Sequence, residues 1–451
     1  MRIIPSLTVL CLLTACGKEV KAPAPEAQKP PAPEQVDANT CSDALDGIVP
    51  QGSYYLHISD IHLDDFGDTL SSKHPDTQPS LWTATQEALR SVIACRPPAF
   101  VLFTGDLPGH FDCGPGYCPI REPDDPNHAQ FEHHAHNVHA VLEGLAAAAG
   151  TVPLLYLPGN NDSLGGDYFA STDAAGKTPF DGLKADYPAP GASKACAAKW
   201  SEPCTVDESG IAQGYYSARP IDGLRVIALN SVILGTKYDA MGGESQASAA
   251  DTQLAWLEGQ LSALEAGEKV LLAMHIPPGI DAYSGHLMWG PKGASPSPWQ
   301  DRFVAAVDGA SAAIVGIAYG HTHYDELRRM HRGSDESGPV IEIGISAPGI
   351  TTNHGNRPGF KLVSFDANKE LTDFVTLHST AQATEFGTAH YRFRDFFPCT
   401  EGTPLLGCLA AMPDTNAVAQ AAANIYYADP GKPGKASDIA KGIAVTSKQA
   451  G

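Results

Sequence analysis

Five short apolar segments of this chain each end in residues that can bind a metal ion. Each segment has the length and the β-branched or aromatic content of a buried strand. Loops at the carboxyl ends of neighbouring parallel strands meet at one edge of a sheet, so such a pattern constrains the fold to bring these residues together. The residues that follow the five segments are Asp60 and His62, Asp106, Asn160, His275, and His321 and His323.

The segment around Asp106 shows which chemistry this pattern allows. Asp106 follows a strand segment at residues 101–104, and His110 lies four residues later. A carboxylate at such a point can offer one oxygen to each of two ions held about 3.5–4 Å apart, and the two ions can clamp a phosphate. The Asp/His and His/His pairs are spaced two residues apart, so each pair shares one face of an extended chain. Together the five strand ends predict a metal centre.

Helical segments separate the strands and define the fold class. Residues 81–94 and a segment that begins at Gln253 place apolar residues at helical spacing. Strand, helix and strand follow one another with short connections, which predicts an α/β body. Residues 341–346 and 360–365 are expected to form strands of a second sheet. Residues 381–451 are first rich in Phe and then in Ala, and they predict a small helical C-terminal subdomain.

The first 40 residues predict export and tethering. Residues 1–16 combine Arg2, an apolar stretch too short to span a bilayer, and the ending Leu-Thr-Ala-Cys16. This ending resembles a bacterial lipobox, in which Cys16 becomes the lipidated first residue; a plain cleaved signal is the alternative. Residues 17–40 are rich in Pro and Ala and predict a semi-rigid tether. We expect an exported lipoprotein of a Gram-negative outer membrane, on its periplasmic face or at the cell surface.

Eight cysteines lie outside the signal segment. An even number in an exported chain favours disulfides, and a zinc ribbon is disfavoured because no Cys-x-x-Cys occurs. Proximity along the chain suggests three close pairs and leaves Cys41 for Cys95. The close pairs are Cys113–Cys118, Cys196–Cys204 and Cys399–Cys408.

Composition and charge exclude some classes of partner. The net charge of −21 argues against binding nucleic acid or anionic lipid through a basic face. The histidine-rich run at residues 127–145 predicts a helix with its imidazoles mostly on the solvent side, which we interpret as a solvated or adventitious metal-binding face. We expect a monomer. The substrate cleft is expected to be walled by residues 163–213 and 281–299.

The order of these motifs resembles that of the calcineurin-like metallophosphoesterases, over residues 54–365. Within that superfamily the chain resembles the acid sphingomyelinase-like phosphodiesterases. The segments that carry the closer resemblance are His57-Ile-Ser-Asp-Ile-His62, Gly105-Asp-Leu-Pro-Gly-His110, His275-Ile-Pro-Pro-Gly279, Gly320-His-Thr-His-Tyr-Asp325 and Asn356-Arg-Pro-Gly-Phe360. The resemblance implies a four-layer αββα sandwich of two mixed sheets, with a catalytic domain at residues 41–380.

The resemblance also implies a dinuclear metal centre. The site residues follow motif by motif: Asp60, His62 and His323 would hold one ion, Asn160, His275 and His321 the other, and Asp106 would bridge both. The phosphodiesterase branch favours zinc, and the mixture of imidazole and carboxylate also suits manganese or iron. Two such ions lower the pKa of a shared water towards ~7, so the implied reaction is attack of a metal-bridging hydroxide on a phosphoester.

One departure from the family pattern affects the predicted acid. The family usually has histidine after the metal-binding asparagine, and this chain has Asn161. Asparagine can donate a hydrogen bond to a phosphate oxygen but cannot deliver a proton at neutral pH. His110 is therefore predicted to protonate the leaving group, and an orienting role towards the phosphate is the alternative.

The substrate is less narrowly predicted than the chemistry. Only the proline-rich tether precedes the first strand, without the lipid-presenting saposin-like domain of the mammalian sphingomyelinase, so a phospholipid head group and a nucleotide are both expected substrates of a phosphodiesterase. A phosphomonoesterase or polyphosphatase of the same superfamily is the alternative. A non-catalytic binding lipoprotein is disfavoured, because none of the seven ligand positions has lost its ligand.

Overall fold

The computed structural model describes residues 41–65, 76–110, 128–163, 166–171, 191–192, 204–380, 386 and 388–449. These residues belong to one compact unit, residues 38–451. The predicted signal and tether, the Cys113–Cys118 pair and most of the 163–213 segment lie outside the described residues. The proposed domain boundaries therefore stay predictions. None of the described helices is both long enough and apolar enough to span a bilayer.

The described residues form fifteen strands and nine helices. The strands are β1 (Tyr54–Ile58), β2 (Val101–Phe103), β3 (Leu154–Tyr156), β4 (Gly191–Ala192), β5 (Thr205–Asp207), β6 (Tyr216–Ile221), β7 (Leu224–Ala228), β8 (Lys269–Ala273), β9 (Ile314–Tyr319), β10 (Leu327–His331), β11 (Val340–Ser346), β12 (Gly359–Phe365), β13 (Leu371–His378), β14 (His390–Arg392) and β15 (Ala444–Val445). The helices are α1 (Asp43–Asp46), α2 (Pro79–Cys95), α3 (His128–Ala149), α4 (Gln246–Ser262), α5 (Pro298–Ala310), α6 (Phe393–Phe396), α7 (Leu405–Ala411), α8 (Thr415–Ala423) and α9 (Ala436–Ile443).

The strands form two mixed sheets. The first has the order β14-β13-β12-β1-β2-β3-β4, and the second has the order β15-β10-β11-β9-β8-β7-β6-β5. Strands β1, β2 and β3 are mutually parallel at the centre of the first sheet. Strands β7, β8, β9 and β11 are parallel at the centre of the second. Five of these seven strands, β1, β2, β3, β8 and β9, carry the predicted metal ligands at their carboxyl ends.

Successive side chains of each strand point to opposite faces of the sheet, and so they pack into different cores. Tyr55 of β1 faces a core that both sheets share, together with residues such as Leu102, Val226 and Ile343. Its neighbours in β1 face a second core, where they meet α2 and α3. A third core lies between the other sheet and helices α4 and α5. The layers are therefore helix, sheet, sheet and helix, which confirms the predicted four-layer sandwich.

Local sequence signals explain where the covering helices begin. The Ser245 and Ser297 hydroxyls accept the backbone N–H groups of Ser248 and Gln300, which caps α4 and α5. Helices α2 and α5 both have proline in their first turn, where the missing N–H has no intrahelical partner in any case. Each helix then turns an apolar face towards its sheet.

Two strand predictions need correction. The strand predicted at residues 360–365 does not join the second sheet; it is β12 and pairs antiparallel with β1 in the first. The C-terminal segment is largely helical, as expected, but it also adds one strand to each sheet, β14 and β15. Pairings between distant segments depend on tertiary packing, which a local pattern of residues does not encode.

The histidine-rich helix is also less exposed than predicted. Helix α3 is present, but His133 and His134 are buried, whereas the His136 side chain is half exposed. The Nε2 atom of His133 lies 3.1 Å from the Asp64 carboxylate, and the Nε2 atom of His136 lies 2.7 Å from the Asp65 carboxylate. The helix therefore packs its histidines against the segment that follows β1, and the interpretation of a solvated face is wrong for His133 and His134.

Two of the predicted disulfides are confirmed. Cys41 is bonded to Cys95, which links the N-terminal end of the folded body to α2, and Cys399 is bonded to Cys408. Cys204 is also disulfide-bonded. Its predicted partner lies outside the described residues, so that pairing stays a prediction.

A buried ion pair connects the core to the loop that follows β9. Lys361 is fully buried, and its ammonium group donates to the Asp325 carboxylate at 2.5 Å and to the Thr376 hydroxyl at 2.8 Å. The Tyr391 hydroxyl donates to the same Asp325 oxygen at 2.6 Å. Asp325 follows His323 by two residues, so this network fixes the loop that bears two predicted ligands.

Candidate metal centre

The seven predicted ligands converge at the carboxyl ends of five parallel strands. The side-chain donor atoms of Asp60, His62, Asp106 and His323 lie within 4.8 Å of one another, and so do those of Asp106, His275 and His321. Asp106 belongs to both groups. The Asn160 Oδ1 atom lies 2.9 Å from His275 Nε2, which places this amide in the second group. The geometry therefore has two neighbouring clusters that share one carboxylate.

Backbone conformation aims these side chains into the site. Five of the seven predicted ligands adopt positive φ angles, a region that residues other than glycine rarely enter: Asp60 (51°), His62 (48°), Asp106 (62°), His321 (74°) and His323 (62°). Gly105, also at positive φ, packs directly against the backbone of Gly159, where a Cβ atom would collide. The loops after β2 and β3 can therefore approach closely enough to bring Asp106 beside Asn160.

Hydrogen bonds fix which nitrogen of two imidazoles faces the centre. The Nδ1 atom of His275 donates to the Thr104 carbonyl at 2.7 Å, and that of His62 donates to the Pro108 carbonyl at 3.2 Å. Each ring therefore turns Nε2 inward, at 3.1 Å and 3.2 Å from the Asp106 carboxylate. Metal-binding histidines are commonly held in this way, with the outer nitrogen bonded to a carbonyl or carboxylate.

The crowding of donor atoms fits divalent ions. His62 Nε2 and His323 Nε2 lie only 3.1 Å apart, and the Asp60 carboxylate is 3.5 Å from His323 Nε2. All of these groups are buried. Burying several ionisable groups together is costly unless they are paired or bind a metal. The donor set of nitrogen and oxygen atoms suits zinc, manganese or iron.

The ionisation of the metal-free site follows from these contacts. Burial alone would raise the pKa of Asp106, but the His275 and His62 imidazoles outweigh it, and the pKa lies well below its usual range. Burial lowers the pKa of each imidazole in turn, but Asp106 raises the pKa of both His62 and His275 to about 9. Burial lowers the pKa of His321 to about 3. Two of the imidazoles therefore hold protons that a bound ion would displace.

Asp106 is held by the loop that follows β3. The Asn161 backbone N–H donates to one Asp106 oxygen at 2.8 Å, and its side-chain amide donates to the other at 3.1 Å. The Asp162 carboxylate accepts the backbone N–H groups of Leu107 and Gly159, both at 2.7 Å. The Asn161 amide thus contacts the predicted bridging ligand, while the same residue lines the cleft. Its predicted contact with a phosphate stays a prediction.

His110 lies beside the first cluster and is oriented by a buried acid. Its ring stacks on that of His62, with 4.1 Å between centroids. The Asp76 carboxylate, which is fully buried, accepts both the Nδ1–H of His110 and its backbone N–H, each at 2.8 Å. Because an ionised carboxylate can only accept, this contact assigns the proton to Nδ1 and leaves Nε2 to act towards the cleft. A donor atom of His110 also lies within 4.8 Å of those of His62 and His323.

The site opens into a cleft of about 210 Å³. Besides predicted site residues, it is lined by Asp167, Tyr168, Lys237, Asp281, Tyr283, Thr322, Tyr324 and His354. Asp167 accepts the Asn160 side-chain N–H at 2.7 Å and so turns the amide oxygen towards His275. The Tyr168 hydroxyl lies 3.2 Å from His321 Nε2.

Sequence reasoning missed the residues that position the predicted ligands. Asp76 and Asp167 lie in loops without a recognisable pattern, and each contacts its partner only through the fold. The role of Asp162 could have been predicted from the sequence, because Asp162 completes the Gly-Asn-Asn-Asp segment that contains Asn160 and Asn161. The prediction that residues 281–299 wall the cleft is confirmed for Asp281 and Tyr283, which line it.

Comparison with known proteins agrees with this geometry. The profile of the calcineurin-like phosphoesterase family matches residues 54–325. The chain is 32% identical to sphingomyelin phosphodiesterase B of Dictyostelium discoideum over 194 residues, 40% of this chain and 28% of that protein. It is 30% identical to sphingomyelin phosphodiesterase of Bos taurus over 203 residues, 42% of this chain and 30% of that protein. The matched region is thus less than a third of each relative's length.

Two further proteins are similar at lower identity. Acid sphingomyelinase-like phosphodiesterase 3b of Homo sapiens is 28% identical over 174 residues, 36% of each protein. A crystal structure of a dimetal phosphatase from Danio rerio aligns with 75% of this chain and 98% of its own, at 13% identity and a TM-score of 0.45. The family profile matches more than half of the chain and includes all the strand ends that bear predicted ligands. The chain belongs to the calcineurin-like phosphoesterase family.

Proposed function

We propose that this protein is a dinuclear-metal phosphodiesterase that resembles the sphingomyelin phosphodiesterases. One observation carries the proposal: seven side chains of ligand type meet in two clusters that share Asp106, and the cleft above them is also lined by His110. The matched relatives, named as sphingomyelin phosphodiesterases, support the choice of a diester.

We propose that the predicted ligands hold two ions, divided in the way that the family resemblance implies. Asp60, His62 and His323 would hold one ion, and Asn160, His275 and His321 the other. Asp106, which belongs to both clusters, would contact each. We propose zinc in both positions, and the donor set also suits manganese or iron. Such ions, when bound, lower the pKa of a water molecule and neutralise charge on the phosphate.

The protein's own residues would then place and move protons. The positive charge of the ions would keep Asp106 ionised, as His62 and His275 do in the metal-free site, and Asn161 orients the Asp106 oxygens. His110 would donate the Nε2 proton to the departing oxygen, a step worth about 10²–10⁴-fold in rate. Asp76, which accepts the Nδ1–H, would orient the ring and raise the pKa of His110, which favours the form protonated on both nitrogens that this step needs. An orienting contact of His110 with the phosphate is the alternative.

The first test is a metal analysis of the purified protein together with its substrate range. We expect about two ions per chain and turnover of bis(p-nitrophenyl) phosphate, with sphingomyelin and nucleotides as candidate natural substrates. Turnover of phosphate monoesters or polyphosphate alone would keep the family and refute the diesterase. Absence of both metal and turnover, even after zinc or manganese is added, would refute the site.

Location and assembly are proposed from the sequence alone. We propose that Cys16 carries lipid, that the chain is exported to a Gram-negative outer membrane, and that it acts as a monomer that does not bind nucleic acid. Metabolic labelling with a radioactive fatty acid should mark the protein and should fail for Cys16→Ala. Light scattering of the purified protein should give the mass of one chain.

A further inference from the structure

The C-terminal subdomain reaches the mouth of the metal cleft. Residues 424–432, which connect α8 to α9 and are called the clamp segment below, contact two loops of the catalytic body. One is the loop after β9, which bears His321 and His323. The other is the loop of residues 351–358, called the His354 loop, because its residue His354 lines the cleft. The clamp segment therefore meets the predicted metal centre through both loops.

Main-chain hydrogen bonds connect the clamp segment to both loops. The Tyr426 carbonyl accepts the Asp325 N–H at 2.9 Å, and the Tyr427 carbonyl accepts the Arg357 N–H at 2.8 Å. The Tyr426 ring also stacks on that of Tyr324, a residue that lines the cleft, with 4.2 Å between centroids. Adjacent residues of one segment thus hold the loop after β9 and the His354 loop next to each other.

Two side-chain contacts add to these bonds on the His354 loop. The Arg357 guanidinium lies 2.8 Å from the Asp429 carboxylate, and the Lys432 ammonium donates to the Gly355 carbonyl at 2.9 Å. The side chains of Arg357 and Asp429 are 26% and 19% exposed, so their attraction is screened less than that of an ion pair at the open surface. The other Asp429 oxygen accepts the Gly431 N–H at 3.0 Å. Asp429 therefore closes its own turn with one oxygen and holds the His354 loop with the other.

His354 is the residue that this arrangement places in the cleft. Its Nδ1 atom donates to the Thr322 carbonyl at 3.2 Å, since a carbonyl oxygen can only accept. Its ring lies 4.5 Å from that of His323 and 5.4 Å from that of Tyr324, measured between centroids. His354 is thus bonded to the loop that bears two predicted ligands, and its ring forms part of the cleft beside the first metal cluster.

We propose that the clamp segment positions His354 as a substrate contact, so that the C-terminal subdomain is part of the active site. This inference rests on the proposed function and adds a positioning element to it. A substrate whose phosphate lies over the two clusters brings its attached group against His354, because this ring lies beside His323 in the same cleft. When only a fraction of the molecules has the binding-competent arrangement, the apparent affinity falls by that fraction. Weakening the clamp should therefore weaken substrate binding more than it slows the chemical step.

The test breaks the ion pair of the metal-loaded, full-length protein and keeps the turn. Asp429→Asn retains a side-chain oxygen for the Gly431 N–H and loses the charge that attracts Arg357. We expect the KM for bis(p-nitrophenyl) phosphate to rise roughly three- to ten-fold, while kcat changes by less than about two-fold. Asp429→Glu, which keeps the charge, should restore most of the affinity. Asp438→Asn breaks exposed ion pairs of α9 in the same subdomain and should leave both constants unchanged.

A double variant separates positioning from a general loss of stability. His354→Ala should raise the KM at least as much as Asp429→Asn does. The two effects should not add when both substitutions are combined, because both act through one imidazole ring. Additive effects, or an unchanged KM in His354→Ala, would overturn the proposal. Loss of metal from Asp429→Asn would also overturn it, since the clamp would then support the metal centre and not the substrate contact.

Hydrogen exchange follows the His354 loop without any need for turnover. The Arg357 N–H is protected by its bond to the Tyr427 carbonyl. A peptide that covers residues 351–358 should therefore exchange faster in Asp429→Asn than in the wild type or in Asp438→Asn. Equal exchange in all three proteins would overturn the clamp. Failure of the proposed function is recognised separately, as the absence of wild-type turnover of bis(p-nitrophenyl) phosphate.

Discussion

Replacing Asp76 with asparagine should slow the reaction without removing the metals. The Asp76 carboxylate is fully buried and accepts two hydrogen bonds from His110, but its oxygens are not among the converging donor atoms of the metal centre. A hydrogen bond to a buried charged group contributes about 1.5–3 kcal/mol. If that free energy serves to orient and charge the acid, kcat should fall roughly 10- to 150-fold.

The pH dependence should change in a defined direction. Burial lowers the pKa of His110 and the neighbouring His62 lowers it further, whereas Asp76 raises it. Asp76→Asn removes the raising contribution, so the pKa of His110 falls. A general acid acts only while it is protonated, and its activity is lost as the pH rises through its pKa. The variant should therefore lose activity at a lower pH than the wild type does.

The assay needs two leaving groups and a second substitution. Rates would be measured against pH for bis(p-nitrophenyl) phosphate, whose leaving group needs little protonation, and for an alkyl ester, whose leaving group needs it fully. The loss should be much larger for the alkyl ester in both Asp76→Asn and His110→Ala. In the double variant the two losses should not add, because both act through one imidazole. Additive losses, or equal losses for both esters, would refute the general-acid reasoning, and loss of metal from either single variant would show a structural role instead.

Three other perturbations test the site and the fold. Asp106→Asn should remove metal and activity together, as metal analysis of the purified variant would show, because both clusters share this carboxylate; retention of two ions would contradict the bridging role. Lys361→Ala should lower the free energy of unfolding by about 3–5 kcal/mol in denaturant titrations, since it leaves Asp325 buried without its cation; a loss below 1 kcal/mol would contradict this. Burial raises the pKa of Glu342 to about 8 in the folded protein. Protonated Glu342 therefore contributes stability at low pH, and this contribution is lost as the pH rises from the pKa of the unfolded state towards 8. Glu342→Gln should flatten the stability profile in that window by about 1.4 kcal/mol per pH unit, and an unchanged slope would show that Glu342 is ionised at neutral pH.

The positions of the metal ligands could be predicted from the sequence better than the residues that hold those ligands in place. The covering helices and the ligand-bearing strand ends follow from apolar periodicity and from short polar motifs, both of which are local, whereas the sandwich of two sheets was implied by the family resemblance. Asp76 meets His110 only because the segment before α2 folds back over the loop after β2, and no local pattern encodes that contact. The burial of His133 and His134 likewise depends on where α3 packs. Long-range contacts of this kind follow from the assembled fold.

The positive φ angles at five predicted ligands have a consequence for how the protein matures. Such conformations cost on the order of 1–3 kcal/mol for each non-glycine residue and persist only where surrounding interactions impose them. Coordination to a metal would supply such interactions for all five residues, whereas without metal the main attractive contacts are those of Asp106 with His62, His275 and Asn161. We therefore expect metal binding to stabilise the folded state, and we expect the loops that bear these ligands to open first when metal is scarce. The supply of metal ions would then determine what fraction of the protein molecules resists proteolysis, in addition to the rate at which each molecule turns over substrate.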